Sequence, residues 1–259
     1  MFLPTRHFSP FKLFLDLPSA TAVMLNPKVL TTFTRSLLAD GFTEHLGYAD
    51  PSDWRWRSLS VPRRFPVAPV SQYASFILQP DRYDLFAFVR NPWGRLVSAW
   101  RNKFLDGHTA SADGADFAYP RSIRQHHLKP LRRFAADNDL PGSGVGTLVP
   151  FETYLHYLLS RPTGKRDHHW DAQTRVLMID RLTYTAIWRI EDERDDGFLT
   201  LAARLKFPEA WVKERLARPA NPSLGKATVF SPALAELALP LVAEDLARFG
   251  YSADSWQGL

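Results

Sequence analysis

Residues 83–104 have the sequence YDLFAFVRNPWGRLVSAWRNKF, which predicts a buried strand followed by a helix. Residues 83–89 form a short apolar run, as expected for a strand that is buried on both faces of a sheet. Arg90-Asn91-Pro92 ends this run, and proline is well suited to the first turn of the helix predicted over 93–104. The order strand, turn, helix indicates one repeating unit of an α/β fold.

A second segment shows the same order closer to the start of the chain. Residues 21–25 (TAVML) are compact and apolar, and Asn26-Pro27 ends the run. Residues 28–40 then carry apolar side chains at helical spacing, with Gly41 as a stop signal. Two further short strands are predicted at 177–179 and 185–188, and an amphipathic helix at 232–249.

These elements predict a single α/β domain over residues 1–259, with a central parallel sheet flanked by helices. Residues 1–20 contain short apolar pieces broken by proline and charge, and we interpret them as an N-terminal arm packed on the domain. Residues 106–120 are rich in Gly, Ala, Asp and Ser, which predicts a flexible loop.

The composition excludes several classes of function. Of the 259 residues 45% are hydrophobic and 23% charged, which is ordinary for a soluble globular protein. The formal charge of +5 is spread out instead of forming basic runs with interleaved aromatics, so we expect no nucleic acid partner. The lack of cysteine excludes disulfides, zinc–thiolate sites and thiol nucleophiles. No apolar run approaches the ~20 residues of a membrane span, and we predict a cytoplasmic protein.

Both strand–turn–helix segments place cations and hydroxyls where a helix begins. Lys28 precedes the first helix and Thr31 and Thr32 lie in its first turn, where unpaired backbone N–H groups and the helix dipole favour anions. In the second segment Arg90 ends the strand and Ser98 follows eight positions later, a spacing that helix geometry allows to meet on a phosphate. The alternative interpretation is an ordinary capped helix followed by a basic, solvated helix face.

Two segments resemble the nucleotide-binding motifs of the PAPS-dependent sulfotransferases, especially the branch that modifies carbohydrates. PAPS is 3′-phosphoadenosine-5′-phosphosulfate, the sulfuryl donor. NPKVLTTF (26–33) is similar to the 5′-phosphosulfate loop, although Leu30 stands where that loop has a small residue. FVRNPWGRLVSAWRNKF (88–104) is similar to the 3′-phosphate motif Arg-x-Pro-x-x-Arg-x-x-Ser-x-Tyr-Arg-x-Lys, with Trp100 in place of the tyrosine.

Weaker matches follow in the order that the family has. HHWDAQ (168–173) resembles a His-Trp-x-Pro-Gln segment with Ala172 in place of proline, and WRIED (188–192) resembles a strand-end Gly-Arg-Phe-Glu. Asn221, Ser223 and EDLARFGY (244–251) resemble the C-terminal part of the family pattern. The resemblance implies a P-loop-like nucleotide-binding scaffold.

The resemblance also implies roles for individual residues. Pro27, Lys28, Thr31, Thr32 and Phe33 would form the phosphosulfate loop, with the Lys28 ammonium aimed at the bridging oxygen of the leaving phosphate. Arg90 and Ser98 would bind the 3′-phosphate. PAPS is then the donor in an in-line transfer to an acceptor hydroxyl, with no metal required.

A hydroxyl acceptor needs a base, and His169 is our first candidate because an imidazole titrates near neutral pH. His168 and Glu152 are the other candidates. The alternative is that His169-Trp170 packs structurally while Gln173 caps a turn.

Other functions remain open at this stage. A P-loop kinase is disfavoured because the turn before Lys28 contains no glycine and no Gly-Lys-Ser/Thr ending. A non-catalytic nucleotide-binding protein on the same scaffold is the second alternative. We expect a carbohydrate or another sugar-containing acceptor, with a small natural product or an amine as alternatives, and the sequence does not specify the oligomeric state.

Overall fold

The computed structural model describes residues 13–46, 76–106, 123–218, 229–257 and 259. Its strands are β1 (Leu13–Asp16), β2 (Thr21–Met24), β3 (Asp84–Val89) and β4 (Ala186–Arg189). Its α-helices are α1 (Thr31–His45), α2 (Pro92–Trp100), α3 (Lys129–Asp137), α4 (Phe151–Leu159), α5 (Gln173–Val176), α6 (Arg194–Leu205), α7 (Glu209–Ala217) and α8 (Pro232–Phe249). Tighter or wider helical turns occupy Pro80–Arg82, Arg101–Leu105 and Arg124–Leu128.

Some predicted features lie on residues outside the described ranges. Beyond Asp106 the predicted loop 106–120 lies outside the described residues, as do Asn221 and Ser223 and the first part of the predicted arm. Among the described helices none is long and apolar enough to cross a membrane.

The chain divides into two compact units. The sheet unit comprises Met1–Arg90 and Gln173–Leu224, and the helical unit comprises Asn91–Ala172 and Gly225–Leu259. Each unit has a hydrophobic core of its own. The division falls directly after Arg90, and again between Ala172 and Gln173.

The sheet unit contains one four-stranded mixed sheet with the order β1-β2-β3-β4. β2, β3 and β4 are parallel, as the alternation of strands and helices predicts, and the α/β class is confirmed. β1 is antiparallel to β2, so the prediction of a wholly parallel sheet is wrong at this edge. Only four residues separate β1 from β2, and so short a connection joins neighbouring strands only as an antiparallel hairpin.

A second difference concerns residues 177–179, which form turns and not the predicted strand. Their apolar side chains are buried, so the composition indicated burial correctly but not the backbone conformation. Met178 has a φ of 53°, in the left-handed region, which a strand does not allow.

The sheet unit packs aromatic rings against its helices. Trp188 on β4 stacks on Phe86 with ring centroids 5.3 Å apart, and Phe88 stacks on Phe198 of α6 at 4.4 Å. Gly197 permits this approach, because a Cβ at that position would lie 2.7 Å from Phe88 and 2.8 Å from Trp188.

The helical unit surrounds a core built mainly from α2, α3, α4 and α8. Trp93, Phe104 and Tyr154 are at most 1% exposed, and Trp100 donates from its indole nitrogen to the Val149 carbonyl at 2.9 Å. Trp100 therefore serves the core of this unit, which explains how a larger ring is accommodated at the position of the motif tyrosine.

Candidate active site

The loop between β2 and α1 is a tight turn held by one carbonyl. The Asn26 carbonyl accepts hydrogen bonds from the Val29 backbone at 3.1 Å and from the Thr31 hydroxyl at 2.7 Å. Lys28 and Leu30 have φ values of 69° and 50°. For residues other than glycine this left-handed conformation costs roughly 1–2 kcal/mol, so the loop holds two residues in an unfavourable geometry.

The predicted donor-loop residues differ in how far they are exposed. Lys28 is half-buried and Thr32 is exposed, whereas Pro27 is buried. Phe33 is half-buried and packs edge-to-face on Phe198, with ring centroids 5.0 Å apart. The Thr31 hydroxyl proton is engaged with the Asn26 carbonyl, so Thr31 contributes to the shape of the loop.

Leu30 packs against the hydrophobic core of the sheet unit. It is also the residue directly before α1, and no side chain caps the helix there. The first turn of α1 contains no acidic residue, so nothing in that turn competes with an anionic ligand for the helix N-terminus.

Gln173 connects the ends of β2 and β3. Its side-chain oxygen accepts from the Asn26 amide at 2.8 Å and from the Arg90 backbone at 3.0 Å. Its side-chain nitrogen donates to the Arg90 carbonyl at 2.8 Å, and Asn26 also donates to the Phe88 carbonyl at 3.2 Å. Gln173 is completely buried. The amide thus fixes the two loops to each other instead of capping a turn.

Arg90 lies beside the donor loop within the sheet unit. Its guanidinium donates to the Lys28 carbonyl at 3.5 Å, and the side chain is half-buried. The Arg90 guanidinium therefore lies against the backbone of the Lys28 loop, at the carboxyl ends of neighbouring parallel strands, where open α/β sheets bind their ligands. Arg189, at the end of β4, is paired with Asp192 at 2.9 Å and Glu193 at 3.9 Å.

In the helical unit, α2 begins with a side-chain cap. The Asn91 side-chain oxygen accepts from the Trp93 backbone at 3.0 Å and the Gly94 backbone at 3.4 Å, and Pro92 occupies the first turn. Ser98 is half-buried on this helix. Arg90 belongs to the sheet unit and Ser98 belongs to the helical unit.

Arg95, the middle arginine of the 88–104 motif, is a residue to which the sequence assigned no role. It is 3% exposed and donates to the carbonyls of Asp171 at 2.7 Å and His168 at 2.9 Å. Burial lowers the pKa of Arg95, while Asp245, Tyr154 and two further aspartates oppose that shift. The arginine is therefore engaged in holding the His-Trp segment. Its fixed place in the motif was the signal available in the sequence.

His169 is held by a neighbouring carboxylate. The Asp167 side chain lies 2.5 Å from His169 Nδ1 and accepts from the His169 backbone at 2.9 Å. The His127 ring packs edge-to-face on His169, with centroids 6.1 Å apart. His168 is less buried, and its Nδ1 lies 3.9 Å from the same carboxylate. Glu152, the third candidate base, is exposed on α4.

The surroundings of this cluster keep the Asp167 carboxylate ionised and the His127 imidazole neutral near neutral pH. Burial alone would raise the pKa of Asp167. The hydrogen bonds from His169 and the charges of His169 and His168 act in the opposite direction and are stronger, so the pKa of Asp167 lies well below its usual range. Burial lowers the pKa of His127 to about 4, a shift that Asp167 opposes and Lys103 reinforces. Burial also lowers the pKa of Lys103, again opposed by Asp167.

The same three groups could serve as metal ligands. Single ligand atoms of His127, Asp167 and His169 all lie within 4.8 Å of one another. However, the 2.5 Å between Asp167 and His169 Nδ1 is a hydrogen-bond distance. Two ligands that share one ion at bonds of about 2.0–2.1 Å lie further apart. The observed arrangement is that of a hydrogen-bonded pair.

Comparison with known proteins assigns the family. The model of the sulfotransferase family matches residues 64–252. The chain belongs to the sulfotransferase family. No solved structure matches this chain significantly.

Carbohydrate sulfotransferases are among the curated relatives that match, which confirms the resemblance to that branch. Mouse carbohydrate sulfotransferase 12 is 28% identical over 143 residues, 50% of this chain and 32% of the relative. Human carbohydrate sulfotransferase 8 is 31% identical over 146 residues, covering 54% and 31%. Zebrafish (Danio rerio) carbohydrate sulfotransferase 14 is 28% identical over 177 residues, covering 65% and 44%. The chain thus matches less than half the length of each of these relatives.

Proposed function

We propose that this sulfotransferase transfers a sulfuryl group from PAPS to a hydroxyl of a carbohydrate or another sugar-containing acceptor. The observation that carries the proposal is the contact of the Arg90 guanidinium with the Lys28 carbonyl at the ends of β2 and β3, where Gln173 is hydrogen-bonded to both loops. The names of the matched relatives support a carbohydrate acceptor. Cytoplasmic localisation stays a prediction.

The described residues fit an anionic nucleotide. The phosphosulfate loop offers the Lys28 ammonium, the exposed Thr32 hydroxyl and the N-terminus of α1, which has no acidic residue in its first turn. Arg90 adds a guanidinium, whose fork suits a phosphate monoester. PAPS would supply the activated sulfuryl group. We assign Lys28 to the leaving phosphate, where negative charge develops, and Arg90 to the 3′-phosphate. Ser98 stays a prediction of the sequence motif for the same phosphate.

Isothermal titration calorimetry with adenosine 3′,5′-bisphosphate tests the donor site. ATP and 5′-AMP are titrated separately for comparison. We expect the bisphosphate to bind and 5′-AMP to bind much more weakly. Arg90→Ala should weaken the bisphosphate about 10- to 100-fold, because charge-assisted hydrogen bonds are worth about 1.5–3 kcal/mol. It should leave 5′-AMP nearly unchanged. Arg82→Ala removes an exposed arginine of the same unit and serves as the control.

A preference for ATP, or equal losses for both ligands in Arg90→Ala, would contradict the assignment. Labelled PAPS then tests the acceptor class, with sugar hydroxyls, phenols and amines offered in parallel. Transfer to sugars supports the proposal, transfer to amines or phenols alone contradicts the acceptor, and bisphosphate binding without transfer to any acceptor favours a non-catalytic binding protein.

A further inference from the structure

Asp167 organises the segment that carries His169. Its carbonyl accepts from the backbones of Trp170 at 3.0 Å and Asp171 at 2.8 Å, which closes a turn over 167–171. Its carboxylate accepts from the backbone of His169 at 2.9 Å and contacts His169 Nδ1 at 2.5 Å. One residue therefore fixes both the main chain and the ring of His169.

This contact determines which nitrogen of His169 carries a proton. An ionised carboxylate can only accept hydrogen bonds, so Nδ1 must be the donor and the neutral ring must carry its lone pair on Nε2. The low pKa of Asp167 keeps the carboxylate ionised throughout the neutral range. The Asp167 and His169 side chains are 28% and 23% exposed, so the pair is shielded but still accessible.

From this geometry we infer that Asp167 is a positioning residue that acts through His169, orienting the imidazole so that Nε2 accepts the proton of the acceptor hydroxyl. The inference rests on the proposed function. In the step, the hydroxyl proton moves to Nε2 while the oxygen forms a bond to sulfur. The bond from sulfur to the bridging oxygen breaks, and its electron pair leaves with adenosine 3′,5′-bisphosphate. The resulting imidazolium is stabilised by the Asp167 carboxylate.

Other charged or titratable groups surround the pair in the helical unit. His168 lies on the same segment, and His127 faces His169 from the turn Arg124–Leu128. Four more groups interact electrostatically with Asp167 or with its neighbours: Lys103, Arg95, Tyr154 and Arg166. Lys103 and Arg95 are cations, and His127 is neutral above a pH of about 4. Asp171 and Asp245 are further anions that act on Arg95. Asp167 is the anion that acts on His127, Lys103 and Arg95 alike.

Asp167→Asn tests the inference because it preserves the shape of the side chain and removes its charge. It also replaces a group that can only accept hydrogen bonds by an amide that can donate as well. We expect kcat to fall about 10²- to 10⁴-fold, because the substituted residue no longer fixes the tautomer in which His169 acts as a base. KM for PAPS and affinity for adenosine 3′,5′-bisphosphate should stay within about twofold. The acidic limb of the pH profile of kcat/KM should move to lower pH, since the imidazolium loses its partner.

Two further variants keep the test decisive. Asp167→Glu retains the carboxylate and should recover part of kcat, and His169→Ala combined with Asp167→Asn should lose no more than His169→Ala alone. Asp139→Asn, an exposed carboxylate in the same unit, is the control and should match the wild type. Wild-type kcat and an unchanged pH profile in Asp167→Asn would overturn the inference, as would a loss that appears only in nucleotide affinity.

The tautomer can also be measured without turnover. Nitrogen-15 NMR of the wild-type histidines should show His169 protonated at Nδ1 at neutral pH, and an Nε2-protonated ring would overturn the inference directly. If the wild type binds no bisphosphate and transfers no sulfuryl group while this tautomer is present, the proposed function fails and the Asp167–His169 pairing stands.

Discussion

Lys28 and Leu30 show how strain and function meet at single residues. Both take left-handed backbone conformations that glycine would adopt more easily, and both lie in the loop that precedes α1. Leu30 gains packing against the core in return. For Lys28 the compensation we assign is the ammonium on a site that binds anions, in keeping with the tendency of strained residues to cluster at functional sites.

Lys28→Gly separates these two contributions. Glycine accepts the observed φ of 69° without steric cost, so the melting temperature should stay equal to or rise above that of the wild type. Turnover of PAPS should nevertheless fall at least about 100-fold, the typical loss when one group that stabilises developing charge is removed. Parallel thermal melting and kcat measurements check both statements. Near-normal turnover would remove Lys28 from the mechanism, and Lys28→Arg should retain part of the activity.

At the scale of elements, apolar periodicity and the residues that end each run predicted the strands β2, β3 and β4 and the helices α1, α2 and α8. The apolar run before Arg90 became β3, Pro92 begins α2, and α8 spans the predicted residues 232–249. Patterns along the chain could not reveal partners that are distant in sequence. Gln173 lies 147 residues from Asn26 and 83 from Arg90, so only the folded chain shows that one buried amide connects the ends of two strands.

Gln173→Leu should therefore affect both stability and the donor site. Leucine is similar in size but leaves the backbone N–H and carbonyl of Arg90 without this partner. Each buried group that loses its hydrogen bond costs about 1–3 kcal/mol, so we expect the free energy of unfolding to fall by about 2–4 kcal/mol. Bisphosphate affinity should fall as well, because Arg90 loses its anchor.

Urea unfolding and titration calorimetry measure the two effects of Gln173→Leu. Arg181→Ala, at an exposed position shortly after α5, is the control and should change neither quantity appreciably. If Gln173→Leu loses stability but binds the bisphosphate as the wild type does, the amide supports the fold alone.

At the scale of the whole molecule, the two units distribute their buried charge differently. The helical unit encloses Arg95, Lys103 and Asp245, each at most 9% exposed, together with the half-buried His127 and Asp167. The composition is ordinary for a globular protein, and it could not show that, among the described residues, every buried charged side chain except Asp16 lies in the helical unit. Such a cluster makes the stability of the protein depend on pH, because groups whose pKa changes on folding couple folding to proton binding.

The pKa shifts of His127 and Asp167 both make the folded protein less stable as the pH falls, but they do so in different pH ranges. Folding lowers the pKa of His127 from 6.5 to about 4. As the pH falls below 6.5, the unfolded chain therefore binds a proton at His127, whereas the folded chain does so only near pH 4. Stability should therefore decrease from pH 6.5 downward and level off near pH 4 for this group. The lowered pKa of Asp167 adds a second loss, which begins only as the pH falls through the range in which an unfolded aspartate titrates.

Urea unfolding at pH 7.0 and 5.5 isolates the histidine contribution. Over this interval His127 should account for a loss of about 1 kcal/mol, since the unfolded state gains most of a proton there and the folded state almost none. His127→Gln should reduce the pH dependence by this amount, whereas His126→Gln, at an exposed position whose charge contributes least to the His127 shift, should change it much less. An unchanged pH dependence in His127→Gln would show that the folded protein protonates His127 as readily as the unfolded chain does, and the acid sensitivity would then belong to other groups.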